Sequence, residues 1–198
     1  MTLPETEGRS SAASRDANNE GADNRLVAVL LDCGDTLVDE GTEVKNDRGA
    51  TLVADLIPGA AEMVRALVAA GYPLGLVADG PQATFDNVLG HYGLMDLFRA
   101  HAISERVGVE KPHAAMFETA LQGLSIDTSQ FGRVVMVGNY LTRDIAGANA
   151  LGLITVWLNW APRRPKVPAN ALEIPDYEIA SPVELLPLLA QIERNLAG

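Results

Sequence analysis

The chain has 198 residues, 47% of them hydrophobic, with 15 lysines and arginines against 26 aspartates and glutamates. That length suffices for one sizeable core, and the formal net charge of −11 argues against nucleic acid or an anionic membrane as the main partner. The single cysteine rules out an internal disulfide and fits a reducing, cytoplasmic setting.

Residues 1–24, "MTLPETEGRSSAASRDANNEGADN", are polar and lack the apolar stretch of a secretory signal. They cannot bury enough surface to order themselves, so a disordered tail is expected, followed by a single domain over 25–198. No apolar run approaches the roughly 18–20 residues of a membrane helix.

From residue 25 onward, strand-like and helix-like segments alternate. "RLVAVLL" (25–31) is a continuous apolar run, as expected of a strand covered on both faces. "LVDEGTEVKNDRGATLVADL" (37–56) alternates in part and turns at "NDRG" (46–49), which predicts a β-hairpin flap. "GAAEMVRALVAAG" (59–71) has helical spacing and stops at glycine. "YPLGLVA" (72–78) is a second sheet strand. "PQATFDNVLGHYG" (81–93) is a helix opened by proline. "AHAIS" (100–104) is a third strand, and "PHAAMFETALQGL" (112–124) a helix. "RVVMVG" (133–138) is the fourth strand, "LTRDIAGANALG" (141–152) a helix closed by glycine, and "LITVWLN" (153–159) the fifth strand. A proline-bearing loop leads to an edge strand, "DYEIA" (176–180), and a last helix, "SPVELLPLLAQIERNL" (181–196), capped by Ser181. This alternation predicts an α/β fold of three layers, a parallel sheet with helices on both faces.

Ligand sites in such sheets lie at the carboxyl ends of the strands. The first strand ends in Asp32, the second in Ala78-Asp79-Gly80, and the fourth in Gly138-Asn139 with Asp144 beyond; Lys111 precedes the third helix. Paired carboxylates suit Mg²⁺, a hard ion that prefers oxygen ligands. A nearby lysine keeps a carboxylate ionised and offsets phosphoryl charge. Glycine-rich turns present N–H groups to anions.

The ordered set "DCGDTL" (32–37), "LVADG" (76–80), "EKPH" (110–113) and "VGNYLTRDIAGANALG" (137–152) resembles the haloacid dehalogenase-like superfamily, and "PGAAEMVRALVAAGYPLGLVADG" (58–80) and "PDYEIASPVELLPLL" (175–189) look like its phosphatase-type members. Any one motif is weak, whereas four in order are strong. The resemblance implies a Rossmann-like sheet and a Mg²⁺-dependent phosphomonoester hydrolase. Asp32 would be the nucleophile that forms an aspartyl-phosphate. Lys111 would bridge nucleophile and phosphate. Thr36, Ala78, Asp79 and Gly80 would stand around the phosphoryl group. Mg²⁺ would be held by Asp32, the Gly34 carbonyl and Asp144, with Asn139 in its outer shell.

Three positions depart from the pattern. The aspartate that such phosphatases usually carry two residues after the nucleophile, as general acid and base, is Gly34 here; Asp35 should point elsewhere. The usual hydroxyl of the second motif is replaced by Ala78, and a common aspartate of the fourth by Asn139. A catalytically impaired protein that binds a phosphorylated ligand or another protein is therefore the second reading. A dehalogenase is the third. With Gly34 unable to donate a proton, aryl phosphates are expected to turn over better than alkyl phosphates. Equal rates would point to another donor, Asp35 or Glu40.

Only residues 38–57 separate Leu37 from Pro58, too few for a helical cap domain. An uncapped site suits a large phosphorylated substrate or cover from a second copy of the chain. Cys33 is expected to be a small packed residue. His91, His101 and His113 show no ligand spacing, and Trp157 and Trp160 are expected to pack. Arg163, Arg164 and Lys166 are expected on a solvated loop.

Overall fold

The computed structural model describes residues 25–198, and the expected tail at 1–24 lies outside the described residues. Strand β1 (Ala28–Leu31) leads into a hairpin of β2 (Val44–Lys45) and β3 (Thr51–Val53). Helix α1 (Ala60–Ala69), β4 (Leu74–Ala78), α2 (Gln82–His91) and β5 (Ala100–Ile103) follow. Helix α3 (Ala114–Gly123) and β6 (Val134–Gly138) precede α4 (Ala146–Ala150), β7 (Ile154–Leu158), β8 (Tyr177–Ile179) and α5 (Leu185–Leu196).

The main sheet has the order β5–β4–β1–β6–β7–β8, with every pairing parallel. Period-two alternation divides its side chains between two cores. Val29 and Leu31 face α1, α2 and α5, whose Val64, Leu67, Phe85, Leu89, Leu185 and Leu189 share one cluster with them. Ala28 and Leu30 face the opposite way, toward Met116, Phe117, Ala120 and Ala148 of α3 and α4. The fold is therefore the expected three-layer, Rossmann-like α/β sheet. Each fully buried leucine or phenylalanine in these layers stabilises by roughly 1.5–3 kcal/mol relative to exposure. The polar strand ends can thus be spent on chemistry.

Helix α1 shows how its sequence sets its packing. Buried Ala60, Met63, Val64 and Leu67 recur at helical spacing. Beyond it Gly71, at φ 89°, takes the left-handed conformation that ends the run. The flap is the predicted hairpin. Its turn closes with Asn46 N–H donating to the Ala50 carbonyl at 2.9 Å. A short 3₁₀ turn, Glu40–Thr42, comes before it, capped by the Asp39 carboxylate. No helical layer lies between β1 and α1.

Two expectations need revising. The segment 141–152 is not one regular helix. It opens with a wide π-helical turn, Leu141–Ile145, before α4. The Tyr140 carbonyl accepts from Asp144 N–H at 2.8 Å and from Ile145 N–H at 3.4 Å. Such turns cluster at functional sites because they re-aim a side chain. Ser104, expected at a strand end, instead starts a single helical turn, Ser104–Val107, closed by Gly108. Among the described residues no helix is long and apolar enough to cross a membrane.

The order of strands fixes where a site can form. The chain runs from β1 outward through β4 to β5, then returns to β6 on the other side of β1. The β1–β6 boundary is the point where the winding reverses, and crevices open at the carboxyl ends there.

Candidate active site

Asp32 leaves β1 at that boundary, with its N–H on the Val137 carbonyl at 3.0 Å. The loop after it is unusually tight. The Cys33 carbonyl accepts from the N–H groups of Thr36, Leu37 and Val38 at 3.2, 2.7 and 3.0 Å. Cys33 itself is buried, and burial, with the charge of Asp32 beside it, pushes its thiol well above the ordinary range. It is a packed residue and not a nucleophile.

Three motifs meet on one lysine. Lys111 Nζ is buried and lies 2.5 Å from Asp32 Oδ1, 2.7 Å from Asp144 Oδ1 and 2.9 Å from the Val77 carbonyl. Burial alone would lower the pKa of this ammonium. The charges of Asp144, Asp32 and Asp79 outweigh that and raise it, so the lysine stays charged. Asp144 is pushed up to about 6 by burial and by the charge of Asp32, against the pull of Lys111. The second Asp32 oxygen accepts from Thr36 Oγ1 at 3.0 Å. Both oxygens of Asp32 are thus oriented before any substrate arrives. Thr36 is fully buried and its hydroxyl is directed to Asp32.

The wide turn at 141–145 explains how Asp144 reaches this lysine. Its Oδ2 accepts from Tyr140 N–H at 2.9 Å, which turns the carboxylate back toward the sheet. Its side chain lies directly on Gly138. A Cβ at that position would overlap Asp144 Cβ, Cγ and Oδ2. Gly138→Ala is therefore expected to cost about 1–3 kcal/mol in urea denaturation, the usual range for overpacking.

Asn139 donates its side-chain amide to the Gly34 carbonyl, and its own carbonyl accepts from Trp157 Nε1 at 2.9 Å. Trp157 is buried against Leu141 and Ile145 and so fixes the fourth motif from behind. Asp79 Oδ1 accepts from Lys111 N–H at 3.0 Å, which ties the lysine's loop to the end of β4. Its Oδ2 pairs with Arg143 at 3.2 Å. Burial raises the Asp79 pKa, with Lys111 pulling the other way. Ala78 is buried, and Gly80 N–H donates to Ser104 Oγ at 2.9 Å. His113 caps α3 through Nδ1, which accepts from Ala115 N–H at 3.2 Å.

Asp35 points away from this cluster, as expected. It is fully buried at φ 53°, and its Oδ2 accepts from Arg163 Nε at 2.8 Å and Arg164 Nε at 3.2 Å. The loop that carries these arginines is largely exposed, as expected, but their guanidinium groups turn inward to Asp35. A buried carboxylate without a cation would cost several kcal/mol, and the 160–166 loop folds back to supply two. Arg164 also pairs with Glu40, and its guanidinium carbon lies 4.9 Å from the centre of the Tyr140 ring. Lys166 donates to Asn159 Oδ1 at 2.5 Å.

These residues enclose a polar cleft of about 270 Å³ lined by Asp32, Gly34, Glu40, Asp79, Lys111, Asn139, Tyr140, Arg143, Asp144 and Arg164. Of the expected site residues, Asp32, Gly34, Asp79, Lys111, Asn139 and Asp144 line it. Thr36 and Ala78 lie behind its wall, and Gly80 borders a neighbouring cavity of about 100 Å³ under the flap. Sequence reasoning does not single out Tyr140 or Arg143. Their place within the fourth motif, next to Asp144, is the only local signal.

The comparisons with known proteins agree with this fold. A family model described as haloacid dehalogenase-like hydrolase matches residues 19–152. The chain is 33% identical over 125 residues to a glyceraldehyde 3-phosphate phosphatase of Methanopyrus kandleri, which covers 63% of this chain and 52% of that protein. It is 36% identical over 103 residues to the pyrimidine 5'-nucleotidase YjjG of Escherichia coli, covering 52% of this chain and 44% of that one. Among solved structures, the putative HAD-hydrolase YfnB of Bacillus subtilis, bound to magnesium, superposes with a TM-score of 0.66 at 21% identity, over 83% of this chain and 99% of that one. The chain spans about half the length of the curated relatives it matches. Four motifs gathered at one reversal point of a parallel sheet, and a family model that matches most of the chain, lead to one assignment: the protein belongs to the haloacid dehalogenase-like hydrolases.

Proposed function

We propose that the protein is a phosphomonoester phosphatase that acts through an aspartyl-phosphate on Asp32. The observation that carries this reading is the buried Lys111 held between Asp32 and Asp144. Relatives described as a glyceraldehyde 3-phosphate phosphatase and a pyrimidine 5'-nucleotidase support it, since phosphate monoesters are their common substrate class. An open cleft under a small flap suits a phosphorylated substrate that extends beyond the site. A second copy of the chain covering the cleft remains part of the proposal.

The residues present fit a Mg²⁺ ion. Asp144 Oδ1 is buried, and its close partner is the Lys111 ammonium at 2.7 Å. Two carboxylates therefore share one cation, and Gly34, whose carbonyl accepts from the Asn139 amide, lines the same cleft. Among the described residues no group of three or more His, Cys, Asp or Glu is placed to hold a metal. Main-chain and amide oxygens would complete the set, as Mg²⁺ accepts. Asp32, Gly34 and Asp144 would hold the ion, with Asn139 beyond them, and it would supply charge neutralisation at the phosphoryl oxygens.

The protein's own residues do the rest. One Asp32 oxygen, aligned by Thr36, forms a bond to phosphorus as the bond to the leaving oxygen breaks. Lys111 balances the charge of the nucleophile and then of the transferred group. Water attacks the aspartyl-phosphate next, which releases inorganic phosphate and restores the Asp32 carboxylate.

A screen of phosphate monoesters with and without Mg²⁺ tests the reading. Turnover is expected with at least one ester class and only with the ion present. Absence of turnover across the screen would favour a phosphate-binding protein. Calorimetry supplies a second check. Asp144→Asn should weaken Mg²⁺ binding by about tenfold or more, in line with the roughly 1.4 kcal/mol that a tenfold change represents. Unchanged affinity would remove Asp144 from the ligand set.

A further inference from the structure

We propose that Glu40 is the general acid and base of the phosphoryl transfer, reaching over Gly34 into the place that a side chain at that position would fill. This inference rests on the phosphatase reading above.

The geometry begins with the missing side chain. A Cβ built on Gly34 would overlap Glu40 Oε1 and lie 2.9 Å from its Cδ and 3.1 Å from its Cγ. The carboxyl of Glu40 thus stands in the space beside Asp32 that residue 34 leaves open. Glu40 comes from the turn before the flap and is held there from two sides. Its N–H donates to Asp35 Oδ1 at 3.2 Å, and its Oε2 pairs with Arg164. Oε1 is the oxygen that lies over Gly34.

Its position between two cavities suits the role. Glu40 lines the polar cleft that contains Asp32 and also the smaller cavity under the flap. A phosphoryl group in the first and a leaving group toward the second would place the bridging oxygen at their junction. A general acid must lie there, within reach of the oxygen it protonates.

Asp32 and Asp144 meet on Lys111, and the remaining acids either lie off the cleft or have both oxygens engaged. Asp35 is fully buried on two arginines and lines neither cavity. Asp79 is held by Lys111 N–H and Arg143. Glu43 pairs with Lys45 at 2.8 Å and accepts from Thr51 Oγ1 at 2.7 Å.

The step balances. An Asp32 oxygen bonds to phosphorus, the bond from phosphorus to the leaving oxygen breaks, and the Glu40 carboxylic acid passes its proton to that oxygen. The products are an alcohol, the aspartyl-phosphate and a Glu40 carboxylate. The carboxylate then takes one proton from water while the hydroxyl bonds to phosphorus. Cleavage of the bond to Asp32 releases phosphate and leaves Glu40 protonated again.

The test compares an alkyl phosphate with an aryl phosphate whose phenoxide leaves without a proton. The natural protein is expected to turn over both. Glu40→Gln keeps the size of the side chain and an oxygen for Arg164. It should lower kcat/KM on the alkyl ester by about 10²–10⁴-fold and on the aryl ester much less. With the base for water gone, a burst of phenol should precede slow turnover of the aryl ester. Glu40→Ala combined with Gly34→Asp should recover alkyl turnover over Glu40→Ala alone, because alanine vacates the space that the new carboxylate needs. Equal losses on both esters in Glu40→Gln, or an unchanged alkyl-to-aryl ratio, would overturn the assignment and leave the phosphatase reading intact. Failure of the natural protein to hydrolyse either ester would overturn both.

Discussion

Asp32→Asn is expected to abolish turnover while leaving the protein folded. Groups that act as one reacting unit lose on the order of 10⁴–10⁶-fold in kcat when a member is removed. Asparagine at this position keeps an oxygen for Thr36 or Lys111 but is too weak a nucleophile to form an acyl phosphate. The fold should tolerate the change. Lys111 keeps Asp144 at 2.7 Å, and the repulsion between two neighbouring acids is relieved. A stability change within about 2 kcal/mol is expected, at the modest end for a buried polar substitution. Initial rates on an aryl phosphate, together with a urea melt, decide it. Activity within tenfold of the natural protein would remove Asp32 as nucleophile. Lost activity with lost structure would leave only a role in folding.

Much of this site was legible because the relevant strands are covered on both faces. Continuous apolar runs mark β1, β4 and β6, and the polar residue after each run falls at the sheet edge where ligands bind. The flap was readable from "NDRG", a local turn signal. Other features had no local signal. The apolar positions Leu141, Ile145 and Ala148 fit a regular helix and a widened first turn equally well, so periodicity missed the turn that aims Asp144. Arg163 and Arg164 read as loop charges because their partner, Asp35, is 128 and 129 residues away in the chain. The same tertiary pairing sets Glu40 over Gly34. Replacement of an expected acid by glycine was plain from the sequence. That another acid fills the resulting space depends on a loop closing from the far end of the chain.

The largest effect on stability is expected from Lys111→Met. Methionine matches the length of the lysine stem, but it removes the cation from between Asp32 and Asp144. Two carboxylates would then be buried without compensation. Breaking a buried ion pair by removing one partner costs about 3–5 kcal/mol. Measured by urea denaturation with chelator present, the variant should lose stability in that range. The pH dependence has a definite sign. Asp144 is already raised to about 6 by burial and by Asp32, and loss of Lys111 removes a charge that holds it down. A carboxyl whose folded pKa lies above its unfolded value binds protons more tightly in the native state. The variant's deficit should therefore be full at about pH 8 and shrink as pH falls through the folded pKa toward about pH 5. Mg²⁺ provides the complementary arm. A divalent ion held by the two acids would replace the lost positive charge, so saturating Mg²⁺ should stabilise Lys111→Met more than the natural protein, whose lysine competes for the same oxygens. A deficit below about 1 kcal/mol at about pH 8 would show that water, and not the lysine, compensates these carboxylates in the folded state. Equal stabilisation of both proteins by Mg²⁺ would place the ion away from Asp32 and Asp144.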